Sequence, residues 1–309
     1  MSGLVLKDVS KTFGQKKVVD KISFTLDQPG VYGLLGTNGA GKTTTIRMLL
    51  GIITKDSGEI TWQGEPVSRK NVNFGYLPEE RGVYPKVKIR TQLAYFAELK
   101  GMAPEAANRA IDKWAEKLRV SEYLEMPAER LSKGNQQKIQ FITAVLHDPD
   151  LVVLDEPFSG LDPVNTDIIK EIIIDLVRHG KYIIMSAHQM FTIEEFCKDI
   201  LILNRGKTVL QGNLKQIKST YPASRVQIDT DQDISKYLQA AKLTIENEKN
   251  RQYTIKISSE EQAHQLLSEL VKNNLTIDKF EIMKPTLNDI FIEKVETPTS
   301  NTNQTGAAK

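Results

Sequence analysis

Apolar residues open the chain in a two-residue rhythm: Leu4, Leu6 and Val9, then Val18 and Val19, then Ile22, Phe24 and Leu26, with Phe13-Gly14 between the runs. Polar neighbours fill the intervening positions, which predicts half-buried antiparallel strands. From Val31 to Leu35 the pattern is continuously apolar, as for a strand buried on both faces. A glycine-rich loop ends that run, and TTTIRMLLGI continues it as a helix. Between Thr91 and about Leu146 the period lengthens to that of helices, with Ile111, Trp114 and Leu118 on one face, Pro104 as a first-turn residue and Met126-Pro127 as a break. Two more buried strands, Leu151 to Leu154 and Tyr182 to Met185, flank a helical stretch from Thr166 to Arg178. Alternation of strand and helix predicts an α/β unit with a parallel sheet.

At Tyr221-Pro222 the pattern changes. Strand Arg225 to Thr230, helix Ile234 to Ala241, strands Leu243 to Glu248 and Tyr253 to Ile257, helix Glu261 to Lys272, strand Thr276 to Met283 and helix Leu287 to Val295 follow in order. The expected organisation is an α/β domain over 1–220, a small α+β domain over 225–295, and a flexible tail over 296–309, where TPTSNTNQTGAAK lacks apolar content.

Composition narrows the class without choosing a function. A chain of 309 residues, 40% hydrophobic and 26% charged, is neither disordered nor fibrous. Its net charge of +2 predicts no electrostatic grip on bulk nucleic acid, so no nucleic-acid partner is expected. The single Cys197, set in EEFCKDILIL, reads as a buried helix residue rather than a reactive thiol, and a lone cysteine fits a reducing compartment. The charged start MSGLVLKDVSKTF does not read as a secretory signal. Apolar runs such as VYGLLG, LVVL and YIIM fall far short of the roughly 18 to 20 residues of a transmembrane helix. A membrane role would therefore come through a partner.

The loop itself carries the first chemistry. Gly36-Thr37-Asn38-Gly39-Ala40-Gly41-Lys42-Thr43 matches GxxxxGK[ST] between a buried strand and a helix, the context in which backbone N–H groups and a helix N-terminus cradle phosphate. Lys42 is positioned to reach the β- and γ-phosphates and the Thr43 hydroxyl to ligate Mg²⁺, with Thr44 next to them among the nucleotide-binding residues. The strand Leu151 to Leu154 then ends in Asp155 and Glu156. Asp155 is expected to hold Mg²⁺ through water or through Thr43, and Glu156 to polarise an attacking water. These two motifs alone leave many phosphate-handling families open.

Four further motifs, in order, narrow the choice. Leu131-Ser132-Lys133-Gly134-Asn135-Gln136-Gln137-Lys138 resembles the LSGGQ signature of ABC ATPases, Ser159-Gly160-Leu161-Asp162 resembles their D-loop, His188 the switch histidine, and Phe13-Gly14 the aromatic A-loop. Over roughly residues 4 to 215 the chain thus resembles the ABC transporter ATP-binding subunits. The ending PTLNDIFIEKV resembles the extension of ABC-2-type exporters, particularly the bacterial sodium-efflux (Nat-type) group.

That resemblance implies a P-loop ABC ATPase domain with a RecA-like core, an N-terminal antiparallel β subdomain and a helical signature subdomain, followed by the small α+β domain. It implies ATP and Mg²⁺ as cofactors, Glu156 and His188 as catalytic residues, Phe13 and Gly36 to Thr44 around the nucleotide, and Thr43, Glu79 and Asp155 around the metal. Ser132, Lys133, Gly134 and Asn135 would serve the ATP of a second ATPase subunit, a copy or a close paralogue, and Asp162 would be the D-loop aspartate. An integral-membrane permease would be the other partner, holding the chain to the cytoplasmic face of the membrane, and sodium ions or drugs would be the cargo.

Two departures bear on mechanism. Glu79 stands where the family has the Q-loop glutamine, adding a charge that should tighten Mg²⁺ and repel the γ-phosphate unless shielded. Lys133 and Asn135 replace a glycine and a glutamine of the signature, and Lys133 either meets phosphate or points to solvent. Rival assignments are soluble ABC ATPases of translation or DNA maintenance, which carry two ATPase domains or a long coiled coil; neither occurs here. A regulatory role for the appendix stays open.

Overall fold

Three sheets organise the protein. A computed structural model describes residues 3–68, 70–80, 82–187, 190–249 and 251–296. The expected tail beyond 296 and the candidate His188 lie outside them. The chain forms two units, Met1–Gly212 and Asn213–Lys309. The second begins ahead of Tyr221-Pro222, because the helix that precedes this break belongs with it.

In the first unit the elements are β1 (Leu4–Phe13), β2 (Lys16–Leu26), β3 (Gly30–Gly36), α1 (Lys42–Leu49), β4 (Ser57–Trp62), β5 (Glu65–Pro66), β6 (Phe74–Leu77), α2 (Ile89–Leu99), α3 (Pro104–Lys117), α4 (Lys133–Val145), β7 (Leu151–Asp155), α5 (Pro163–Arg178), β8 (Tyr182–Ala187), α6 (Met190–Phe196), β9 (Asp199–Asn204) and β10 (Lys207–Asn213). A four-stranded sheet runs β2-β1-β4-β5, and a six-stranded sheet runs β10-β9-β3-β8-β7-β6. In the larger sheet β3, β6, β7, β8 and β9 pair in parallel, as their uninterrupted apolar runs require. Leu6 and Ile22 of the small sheet, Leu34 and Ile184 of the large one, and Ile46 and Leu49 of α1 share one core. The P-loop helix is thereby fixed to both sheets.

Local chemistry explains where the helices begin. Ser132 caps α4 by accepting from the Asn135 N–H at 3.2 Å. Asp162 caps α5, followed by Pro163 at the first helical position, which starts this helix three residues ahead of the expected Thr166. Cys197 is buried as expected but lies one residue past α6 rather than within it, and burial pushes its thiol pKa up.

The second unit contains α7 (Leu214–Ser219), β11 (Arg225–Asp229), α8 (Ser235–Ala240), β12 (Thr244–Lys249), β13 (Gln252–Lys256), α9 (Glu260–Lys272), β14 (Lys279–Met283) and α10 (Leu287–Glu296). From β11 to β14 the order is βαββαβ, with antiparallel strands arranged β12-β13-β11-β14, a ferredoxin-like sheet. Its alternation buries Val226, Ile228 and Ile255 against Leu238 of α8 and Leu266 and Leu270 of α9. The strand expected from Thr276 is shorter at its start. Thr276 instead donates its N–H to the Gln232 side chain and accepts from the Thr230 hydroxyl, so it serves a loop contact and not the ladder.

Candidate nucleotide site

β3 delivers the loop Gly36 to Gly41 at its carboxyl end, and glycine is required there by close approach. A Cβ on Gly36, at φ +147°, would lie 2.4 Å from the Leu203 carbonyl oxygen, and one on Gly41, at φ +105°, 2.7 Å from that of Val18. The loop is also tied laterally: the Gly206 N–H donates to the Ala40 carbonyl at 3.0 Å, and the Asp20 N–H to the Gly206 carbonyl at 2.8 Å. Thr37, Asn38 and Gly39 are exposed at its crest, whereas Lys42 is 7% exposed, its Nζ donating to the Gly36 carbonyl at 2.7 Å and the Thr37 carbonyl at 3.4 Å. Lys42 therefore sits under the loop with its charge at the loop's mouth. Thr43 and Thr44 are half-buried at the start of α1, which has no side-chain cap, so its first N–H groups can meet an anion.

The acids arrive from the next strand but one. Register pairs Ser186 of β8 with Leu34 of β3 on one side and Asp155 of β7 on the other. Loop and acids therefore share one edge of the parallel sheet, at the carboxyl ends of the strands, where α/β folds open their crevices. Ser186 is buried; its hydroxyl donates to Asp155 Oδ1 and accepts from the Glu156 N–H at 3.2 Å. Asp155 is 1% exposed, and its Oδ2 has no hydrogen-bond partner. Glu156 is buried at φ +54°, where the chain turns out of the strand.

A buried carboxylate oxygen left unmatched beside a phosphate loop suits a divalent cation. Among the described residues no group of three or more acids, histidines or cysteines forms a metal cage, so a cation here would depend on phosphate oxygens together with Asp155 and the Thr43 hydroxyl. Glu79 is exposed in the loop that follows β6, and its charge is felt by Tyr76. Burial, then the Asp155 charge, raises the Tyr76 phenol pKa, against the opposing Arg47 of α1. Ser186 and Tyr76 were not among the residues expected from sequence. Nothing local marks either one.

The signature residues are gathered elsewhere on the unit. A Cβ on Gly134 would stand 3.5 Å from Leu161 Cδ2 and 3.7 Å from the Gly160 carbonyl, which puts the first turn of α4 against the D-loop. Buried Gln137 donates to the Pro157 carbonyl at 3.1 Å, joining α4 to the segment just after the acids. Lys133 is exposed. Asp162 accepts from the Asn165 N–H at 2.9 Å and its Nδ2 at 2.6 Å, and the first of these bonds does most to hold its carboxyl below the usual range. Phe13, 48% exposed, ends β1 at the hairpin whose other strand carries Val18 against Gly41.

The ABC transporter family model matches residues 19–159, and the model for the C-terminal domain of ATP-binding proteins of DrrA1-3-like type matches residues 212–295. A relative from Bacillus subtilis (strain 168), the uncharacterized ABC transporter ATP-binding protein YhaQ, is 46% identical over 294 residues, covering 94% of this chain and 98% of its own. The chain belongs to the ABC transporter ATP-binding proteins. The lipopolysaccharide export system ATP-binding protein LptB of Haemophilus influenzae (strain ATCC 51907 / DSM 11121 / KW20 / Rd) is 30% identical over 233 residues, 73% of this chain and 97% of LptB. A solved ATP-binding subunit of an ABC transporter superposes with a TM-score of 0.66 at 28% identity, covering 71% of this chain and 93% of that one. This ABC ATPase thus binds ATP and hydrolyses it to power transport, and the DrrA-like second domain and export-type relatives are consistent with the ABC-2 exporter type.

Proposed function

We propose that this ABC ATPase drives export of a sodium ion or drug-like cargo through a separate membrane permease, working at the cytoplasmic face as half of a head-to-tail dimer. The observation that carries the catalytic part is the unpartnered, buried Asp155 Oδ2 at the same sheet edge as Lys42 and Thr43. Mg²⁺, when bound, neutralises charge on the transferring phosphoryl group. The backbone of Gly36 to Gly41 and the start of α1 hold the phosphates, Lys42 supplies a fixed cation, and Asp155, Thr43 and Glu79 would hold the metal. Glu156 takes the proton of the attacking water, and the switch histidine His188 is the second catalytic residue of this reading. Phe13 stacks on the base. Ser132, Lys133, Gly134 and Asn135 complete the site of the other subunit, with Asp162 fixing the adjoining turn.

Among the described residues no helix is long and apolar enough to cross a membrane; in this reading a separate permease supplies that path. A cavity of about 770 Å³ fits its docking: it is lined by Ile52 near α1, Tyr76 of β6, and Phe96 and Leu99 of α2, with Ile52 and Leu99 largely exposed. Tyr76 lies both on this cavity and near Asp155, which offers a path from docking to the metal site. Purification from membranes with the neighbouring gene products, followed by sodium and drug efflux from vesicles, tests the proposal. A stoichiometric integral-membrane partner and ATP-dependent efflux, lost in Lys42→Ala, are expected; ATPase activity with no membrane partner overturns it.

A further inference from the structure

Phe13 belongs to a small cluster that no catalytic motif explains. Asp56, just before β4, uses both carboxylate oxygens on β1: Oδ1 accepts from Lys11 Nζ at 2.7 Å and Oδ2 from the Thr12 N–H at 2.7 Å. Its own N–H donates to the Ser10 carbonyl at 2.9 Å. Three consecutive residues leading to Phe13 are thus held by one aspartate, at a place where the β1–β4 register is broken between Lys7 and Ser10. Sheet pairing alone leaves this end of β1 loosely specified. Lys11 in turn lies over the Phe13 ring, its Nζ 5.4 Å from the centroid, within the range of a cation–π contact.

The ring has two faces, and Lys11 takes one. At 48% exposure the ring keeps area for a second stacking partner. We propose that Asp56 is a positioning residue for nucleotide binding: it fixes Lys11 and Thr12 so that Lys11 backs one face of Phe13 and the opposite face is presented to the adenine base. The proposal rests on Phe13 being the base-stacking residue. Its physical basis is preorganisation, since an aromatic side chain already held in its binding rotamer loses less freedom when the base arrives. The pair itself contributes little to folding, because the Asp56 side chain is 43% exposed and its charge is screened by solvent. Its effect should therefore appear in base affinity and not in stability.

Tripolyphosphate separates the two halves of the ligand, because it carries the phosphates without the base. Magnesium-ATP and magnesium-tripolyphosphate would be titrated calorimetrically into the full chain and into Phe13→Ala, Asp56→Ala and the double variant. We expect Asp56→Ala to weaken ATP about threefold to tenfold, a fraction of the stacking contribution, with tripolyphosphate affinity at the parental value. In the Phe13→Ala background, Asp56→Ala should add nothing, since the two act through one ring. An Asp56→Ala variant that binds ATP at parental affinity while Phe13→Ala is weakened overturns the positioning role and leaves the Phe13 assignment standing. Parental ATP affinity in Phe13→Ala overturns both. Equal weakening toward both ligands, or full additivity with Phe13→Ala, shows that Asp56 acts on the general fold and also overturns the proposal.

Discussion

Ser186 donates its hydroxyl hydrogen to Asp155 Oδ1 while taking the N–H of the next residue, so a single side chain sets both acids of the site. Removing that hydroxyl leaves a buried carboxylate short of a donor, which costs about 1–3 kcal/mol. Ser186→Ala is therefore expected to lower thermal stability and, through a displaced Asp155, to reduce ATP turnover by about tenfold or more, each 1.4 kcal/mol of barrier being a factor of ten. Denaturation and steady-state hydrolysis measured on one preparation check this. Parental values for both would mean that Asp155 is held without Ser186.

Glu156→Gln and Asp155→Asn should differ in kind. The first keeps size and hydrogen bonding but removes the basic lone pair, so turnover should fall about 10²- to 10⁴-fold with Mg-ATP binding retained and a closed dimer accumulating. The second removes the oxygen that has no other partner, and should weaken Mg²⁺-dependent binding itself. Equilibrium binding, single-turnover hydrolysis and dimer mass distinguish the two. If Glu156→Gln turns over at near-parental rate, the proton acceptor is elsewhere, with His188 next to be substituted.

Contacts of the signature turn run to the D-loop of its own chain, through Gly134 and Leu161. Ser132 and Lys133 are exposed on this turn, and in the proposed dimer they would serve the ATP of the other subunit. Mixing Ser132→Arg with Lys42→Ala subunits, each inactive alone, should restore hydrolysis, because the mixed pair keeps one intact composite site. A mixture as inactive as its components would place Ser132 in service of its own chain.

In the second unit Arg225 reaches Asp289 with two bonds of 2.6 and 3.2 Å and Glu246 with one of 2.5 Å, fastening α10 to the sheet. Burial alone would raise the Asp289 carboxyl pKa; bonds from Arg225 and Thr286 outweigh it and hold the pKa low. A carboxyl whose folded pKa lies below its unfolded value contributes stability above the unfolded pKa and loses it as pH falls through the folded one. Protection of the α10 amides, measured as exchange relative to the intrinsic rate at each pH, should thus be high at neutral pH and fall below about pH 4, while Asp289→Asn should show low protection already at pH 7. Identical exchange in parent and variant would remove Asp289 from that role.

The parts legible in the sequence are those whose chemistry is local. Gly36 to Thr43 and Asp155-Glu156 announce themselves because each needs a few neighbouring residues and a strand before them. Ser186 has no such neighbours: its role comes from the register of β8 against β7, which brings it to an acid 31 residues away. Asp56 is likewise 44 residues from the Thr12 N–H that it accepts. The βαββαβ succession could be read from periodicity, whereas the placement of β11 between β13 and β14 could not, since period tells which face is buried and not which strand lies alongside. Cys197 was legible as buried but not as lying beyond its helix, because apolar spacing blurs where a helix ends.

Glu156 holds φ at +54°, a conformation that costs a side chain bearing a Cβ about 1–2 kcal/mol. Glycine would be more comfortable at that bend, but could not supply the carboxylate proposed as the base. Selection for heat resistance alone would therefore favour glycine at position 156 at the expense of the proposed base, so stabilisation guided by backbone preference has to leave this residue unchanged.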